Sequence, residues 1–167
     1  DRMQIEAEEL NGRYVKLAIF IDSGKMDEVV NDIYNKCLLE MQCYTMFDYI
    51  RLLDTRIQRM QGSDGAKVRK MNFGMAIMAL KAGYPIRRSG WNGKGLMVFK
   101  QVPAHIDSDI IPKMQSLPQS AKDLILKGKG FIDYTSQCLI YNENTGRADS
   151  WVPSISDVFA DDWEIVQ

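Results

Sequence analysis

The residues of this chain whose types and spacing could do chemistry gather in one glycine-spaced run, Arg88-Ser-Gly-Trp-Asn-Gly-Lys-Gly95. Trp91, Asn92 and Lys94 put a flat ring, an amide and an ammonium on one turn, with Arg87 and Arg88 just before it. Such a set suits a small anionic, aromatic ligand such as a nucleotide. A base stacked on the ring gains about 1–3 kcal/mol, and the cations can meet phosphate. Core packing is the plainer reading of a single tryptophan. Trp91 departs from it because a turn flanked by glycines seldom holds a core residue. Phe73, Phe99, Tyr141, Trp151 and Trp163 supply further rings in the same half. Alone, these residues suggest nucleotide binding and leave the function open.

Other chemistries are less well served. Asp157, Asp161, Asp162 and Glu164 could form an acid–base pair, hold magnesium, or accept from ribose hydroxyls and base amino groups. Ser156 ahead of Asp157, Val158 and Phe159 reads more simply as the cap of a short helix with acid in its first turn. His105 is the one histidine and has no nucleophile elbow beside it, so a surface-loop role is expected. A His/Cys zinc site is not expected, nor a P-loop, since GxxxxGK[ST] is absent. The expectation is a protein with no cofactor, no metal and no catalytic residues.

Two unlike parts must position these groups. Met3, Ala7, Leu10, Tyr14, Leu17 and Ile21 recur at steps of four and three, the seam of a packed helix. Asp22-Ser-Gly-Lys breaks it, and a longer pattern runs from Val30 to Met60. Two helices joined by a short turn pack antiparallel, and the second outruns the first. Its unpaired end must bury its stripe on the rest of the chain or on another subunit.

Beyond Gln61-Gly-Ser-Asp-Gly-Ala the pattern changes. Asn72 can cap a helix with inner face Phe73, Ile77 and Leu80, and Gly83 sits at a left-handed stop. Ser120 is expected to cap a second short helix that ends at Gly128. Strand-like runs occur near residues 84–88, 96–102, 131–135, 138–141, 148–152 and 163–166, with a hairpin turn at 142–146. No βαβ rhythm appears. The expected class is therefore α+β: an N-terminal antiparallel helical hairpin (1–62), a linker (63–70) and a small antiparallel β-sheet domain with short helices (71–167). Residues 103–118 are poor in regular signals and read as a loop, either a lid, a subunit contact or a solvated connector.

Composition narrows the partners. The chain has 167 residues, 46% hydrophobic and 26% charged, with a formal net charge of −1. No basic footprint favours DNA or long RNA. No apolar run is long enough for a membrane span, and no basic-then-apolar leader is read at the start. The chain opens on Asp1, so the expectation is that residues before it are missing or trimmed. Cys37, Cys43 and Cys138 form no paired framework and read as buried thiols of a reducing compartment.

The run Phe73-Gly74, Leu80-Lys-Ala-Gly83, Arg88-Ser-Gly-Trp-Asn-Gly-Lys-Gly95, Trp151, Ser154, Asp157 and Ala160-Asp-Asp-Trp163, in that order, resembles the Thoeris anti-defence 2 (Tad2) family of phage proteins. The resemblance covers about residues 71–167, with residues 111–122 resembling an insertion of longer members. The N-terminal part is similar to a small helical domain found in proteins of crAss-like gut phages, on periodicity and a few spaced residues. The resemblance implies a non-enzymatic sponge in the cytoplasm of the infected host. Family members bind cyclic ADP-ribose isomers made by TIR-domain enzymes, and some bind cyclic dinucleotides of CBASS. They form homo-oligomers, typically tetramers, with pockets at subunit contacts. Carried onto this chain, the implied ligand-binding residues are Phe73, Arg88, Trp91, Asn92, Lys94, Trp151, Asp157 and Asp161. Sequestration needs tight binding and abundance but no catalytic group. Two other readings stand beside it: a metal-dependent hydrolase of the same signals, and a non-binding oligomeric module with its tryptophans in the core.

Overall fold

A helical hairpin leads into an antiparallel sheet, the expected α+β arrangement. The computed structural model describes residues 2–68 and 70–166. Helix α1 (Arg2–Asp22) turns at Gly24, whose φ of 78° is left-handed, and α3 (Ile33–Met60) runs back along it. Between them lies a single-turn helix, α2 (Lys25–Val29), that the periodicity did not announce. Asp32 starts α3 by accepting from the Tyr34 N–H at 2.9 Å. The seam between the long helices buries Ala7, Leu53 and Ile57, with Met3 and Leu10 against them.

The far end of α3 finds its cover on the sheet half. Leu52 packs on the main core, Asn72 Nδ2 donates to Asp48 at 2.8 Å, and Arg51 Nη1 lies 3.9 Å from Met75 Sδ. Where the helices hand over, Met71 and Trp163 exchange backbone hydrogen bonds at 3.2 and 3.1 Å.

Helix α4 (Phe73–Lys81) is capped by Asn72, which accepts from the Met75 N–H at 2.9 Å, and its stop at Gly83 has φ 91°. Its buried residues are Met75, Ala76, Ala79 and Leu80; Phe73 and Ile77 are half-buried at the edge. The helix lies on a five-stranded sheet in the order β6-β5-β2-β1-β7, every pair antiparallel. The strands are β1 (Ile86–Arg88), β2 (Leu96–Lys100), β5 (Cys138–Asn142), β6 (Arg147–Trp151) and β7 (Trp163–Ile165). Ile86, Val98 and Trp163 form the sheet side of the core, with no exposed surface. The hairpin expected at residues 142–146 joins β5 to β6.

Four local expectations are corrected. The stretch read as an irregular loop contains β3 (Ala104–Ile106), which pairs with β4 (Ile132–Tyr134), and a short 3-10 turn, Ile111–Lys113. Side chains alone did not advertise a three-residue strand whose partner lies 28 positions on. Helix α5 (Gln119–Lys127) starts behind Pro118 with no side-chain cap, so Ser120 lies inside it. The short helix α6 (Ile155–Val158) is capped by Ser154, not Ser156. The cysteines are not buried: Cys37 is exposed, and Cys43 and Cys138 are half-covered. Among the described residues, no helix is long and apolar enough to cross a membrane.

Candidate functional site

Strand β1 delivers Arg88 to the turn at residues 89–95, and β7 and α6 bring the carboxylates to meet it. In the β1–β7 register Arg88 stands opposite Trp163, one residue from Asp162. Arg88 Nε donates to Asp162 Oδ1 at 2.7 Å, and its Nη1 donates to Asp157 Oδ1 at 2.9 Å. Asp162 also accepts from the Gly90 N–H at 2.9 Å. A Cβ on Gly90 would stand 2.5 Å from that carboxylate, so the glycine is what lets the turn close on it.

Asp157 is the hub. It forms a capping box with Ser154: the Ser154 N–H and hydroxyl donate to Oδ2 at 2.9 and 2.8 Å, while the Asp157 N–H donates back to Ser154 Oγ. Trp91 Nε1 donates to Oδ1 at 3.1 Å. Burial pushes this carboxyl up, but the bonds from the Ser154 backbone, Arg88, the Ser154 hydroxyl and Trp91 outweigh it and bring it down to about 2. Burial likewise raises Asp162, yet Arg88 and the Gly90 N–H hold it below the usual carboxylate range. Arg88 in turn is held above its ordinary value, chiefly by Asp162 and then Asp157.

The aromatic residues assemble around one ring. Trp163 is fully buried and donates through Nε1 to the Asp157 carbonyl at 3.0 Å. Trp91 meets it edge-on at 5.4 Å and 78°, Trp151 at 6.1 Å and 80°, and Phe73 tilted at 5.8 Å. The two tryptophan pairs are favourable edge-to-face geometries. All three outer rings are half-buried, so each keeps some surface toward solvent.

Of the residues singled out from sequence, Phe73, Arg88, Trp91, Trp151 and Asp157 therefore join one continuous cluster around Trp163. Asn92 and Lys94 are exposed on the adjoining turn, and the Lys94 carbonyl accepts from Asn144 Nδ2 at 2.7 Å. Asp161 is exposed on an open cleft of about 1060 Å³ between the sheet half and α3, which Arg88, Asp162 and Trp163 line from the side of the cluster. Ser154, Asp162 and Trp163 complete the cluster. Ser154-x-x-Asp157 is the spacing of a capping box and could have marked Ser154.

Residues 71–166 match the family model of the Tad2-like, or Thoeris anti-defense 2-like, domain. The chain belongs to the Tad2-like family. A relative named Thoeris anti-defense 2, from Bacillus phage SP01, is 33% identical over 102 residues, covering 58% of this chain and 96% of that protein. The Tad2-like region thus contains the whole aromatic and Arg88 cluster. Residues 1–59 match a second family model, Sequestin.

Proposed function

We propose that this chain is a phage anti-defence sponge against Thoeris: it binds cyclic ADP-ribose isomers, and on the same principle cyclic dinucleotides of CBASS, and withholds them without degrading them. It acts in the cytoplasm of the infected host as a homo-oligomer, typically a tetramer. Membership in the Tad2-like family is the observation that carries this reading. In it, residues 71–167 bind the signal, residues 63–70 link, and residues 1–62 serve assembly or an accessory role.

The geometry supports a division of labour within the binding residues. Trp91, Trp151 and Phe73 offer partly open ring faces for a purine, and Asn92 and Lys94 offer a polar turn for ribose and phosphate. Arg88 and Asp157 act by holding Trp91 in place. Asp161, exposed and without an ion-pair partner among the described residues, remains available to accept from a hydroxyl. Binding is favoured over hydrolysis because, of the four carboxylates a hydrolytic site would draw on, Asp157 and Asp162 are held by Arg88 and Glu164 by Arg87, which leaves Asp161 without a second free carboxylate beside it.

Titration of the chain with a cyclic ADP-ribose isomer, followed by heat release and chromatography of the supernatant, tests the reading. The expected result is saturable binding and return of the starting compound, still able to activate a Thoeris effector. Turnover beyond one equivalent per site would overturn sequestration, and absence of any heat or thermal shift would overturn binding.

A further inference from the structure

Residues 103–134 leave the five-stranded sheet between β2 and β5 as a ribbon of their own. The Gln101 N–H donates to the Gln137 carbonyl at 2.8 Å, and β3 then pairs with β4 in the register Ala104↔Tyr134, His105↔Asp133 and Ile106↔Ile132. Successive side chains of a strand point to opposite faces. Ile106 and Ile132 therefore share one face, half-buried, while His105 and Asp133 share the other, which is exposed. Beyond the ribbon, residues 107–131 close a loop that holds the 3-10 turn and α5. Within residues 103–134 only Ile111 is buried. A two-stranded ribbon with so little core is marginal by itself, so its cross-strand pairs decide how firmly it closes.

The pair at its centre is ionic. His105 Nδ1 lies 2.6 Å from Asp133 Oδ1, and Nε2 of the same ring lies 3.2 Å from Asp107 Oδ1. A neutral imidazole carries one N–H and one bare nitrogen, and an ionised carboxylate only accepts. Both contacts are hydrogen bonds at once only when the ring is an imidazolium that donates from both nitrogens. In either neutral tautomer a nitrogen lone pair faces a carboxylate oxygen. The Phe131 ring lies 4.9 Å away between centroids, a distance at which an aromatic face attracts a cation. Asp133 from β4 and Asp107 just past β3 are the charged groups that face the ring.

We infer that His105 is a pH-sensitive latch: as imidazolium it bridges Asp107 and Asp133 and holds the β3–β4 ribbon closed at the base of residues 107–131, and as neutral imidazole it releases one of the two. The direction follows from the charges. Asp133, against a smaller opposing effect of desolvation, and then Asp107 hold the ring above its ordinary value of 6.5. The contribution of the latch is therefore fully present below pH 6.5 and is lost as the pH rises through the raised value. The histidine side chain is 51% exposed, so solvent screens the pair and the ribbon loosens rather than unfolds.

The test uses the full chain, in which His105 is the one histidine, so its ring resonances are identified at once. Their shifts from about pH 5 to about pH 9 give the titration midpoint in the folded protein. Protection factors of the amides at residues 104–106 and 132–134 are followed over the same range. The expected result is a midpoint above 6.5 and a fall in protection of about threefold through it, the scale of an exposed ion pair, with the amides of β1 and β2 unchanged. Asp133→Asn, at an exposed position that leaves the fold intact, should return the midpoint toward 6.5 and flatten the pH dependence. A midpoint at or below 6.5 in the parent overturns the latch. So does protection that stays level through the histidine titration, or a parent-like pH dependence in Asp133→Asn.

Discussion

The indole N–H of Trp163 and the backbone carbonyl of Asp157 are joined by a buried hydrogen bond of 3.0 Å, while the carboxylate of the same aspartate receives Arg88, Trp91 and Ser154. One residue thus couples the core ring to the turn that carries Trp91. The side chain fixes the turn, and the main chain fixes the ring beneath it.

Asp157→Asn should therefore loosen the turn. It keeps the side-chain shape and removes the charge that meets Arg88, at a cost of about 2 kcal/mol for a hydrogen bond to a charged group. Denaturant unfolding should show a lower midpoint at an unchanged slope. A midpoint within error of the parent would show that Arg88 is satisfied by Asp162 alone.

Acid should act through the same residue. Asp157 is lowered from an ordinary 3.8 to about 2, so its contribution is fully present above pH 3.8 and is lost as the pH falls toward 2. Asp162, shifted in the same direction, adds to that loss. Melting temperatures from pH 6 to pH 2 should fall more steeply below pH 4 for the parent than for Asp157→Asn. Parallel curves would contradict the assignment.

Trp91 separates stacking from support. Trp91→Phe keeps a ring against Trp163 and loses the N–H to Asp157, and should cost about 1 kcal/mol of stability with ligand affinity within a few-fold. Trp91→Ala removes both. It should weaken binding tenfold or more, on the scale of ~1.4 kcal/mol per decade, and should also destabilise the fold. Calorimetric titration beside thermal melts distinguishes the two losses. Full affinity in the alanine variant would remove Trp91 from the ligand.

Gly95 anchors the far end of the turn. Its φ of 79° is left-handed, and a Cβ there would lie 2.5 Å from Asn144 Nδ2, the group that donates to the Lys94 carbonyl. Gly95→Ala should cost about 1–2 kcal/mol from backbone handedness alone. It should also shift the amide resonances of Lys94 and Asn144 together. Shifts confined to residue 95 would mean that the turn and the β5–β6 hairpin are uncoupled.

Much of the fold could be read along the chain because its signals are local. Asn72 before an apolar run, Gly83 after it, and the Asn142–Gly146 turn each specify their element within a few residues. Arg88 was harder to read: its partners lie 69 and 74 positions away, and nothing near it distinguishes a clamp from a phosphate ligand. Ser154 and Ser156 both stand ahead of Asp157, and only the reciprocal bonds of Ser154 with Asp157 decide between them. Trp91 looked solitary because its glycine neighbours suggest exposure. The ring beneath it comes from a strand 72 residues later, at Trp163.

The two-way backbone bridge between Met71 and Trp163 has a mechanical consequence. The entry to α4 is fastened to the strand that carries the central ring, so neither can fray without releasing the other. A pull on that entry would then be felt at Trp163, and from there at Asp157 and the Trp91 turn. A subunit contact far from the aromatic cluster would stiffen the grip on a ligand without touching it.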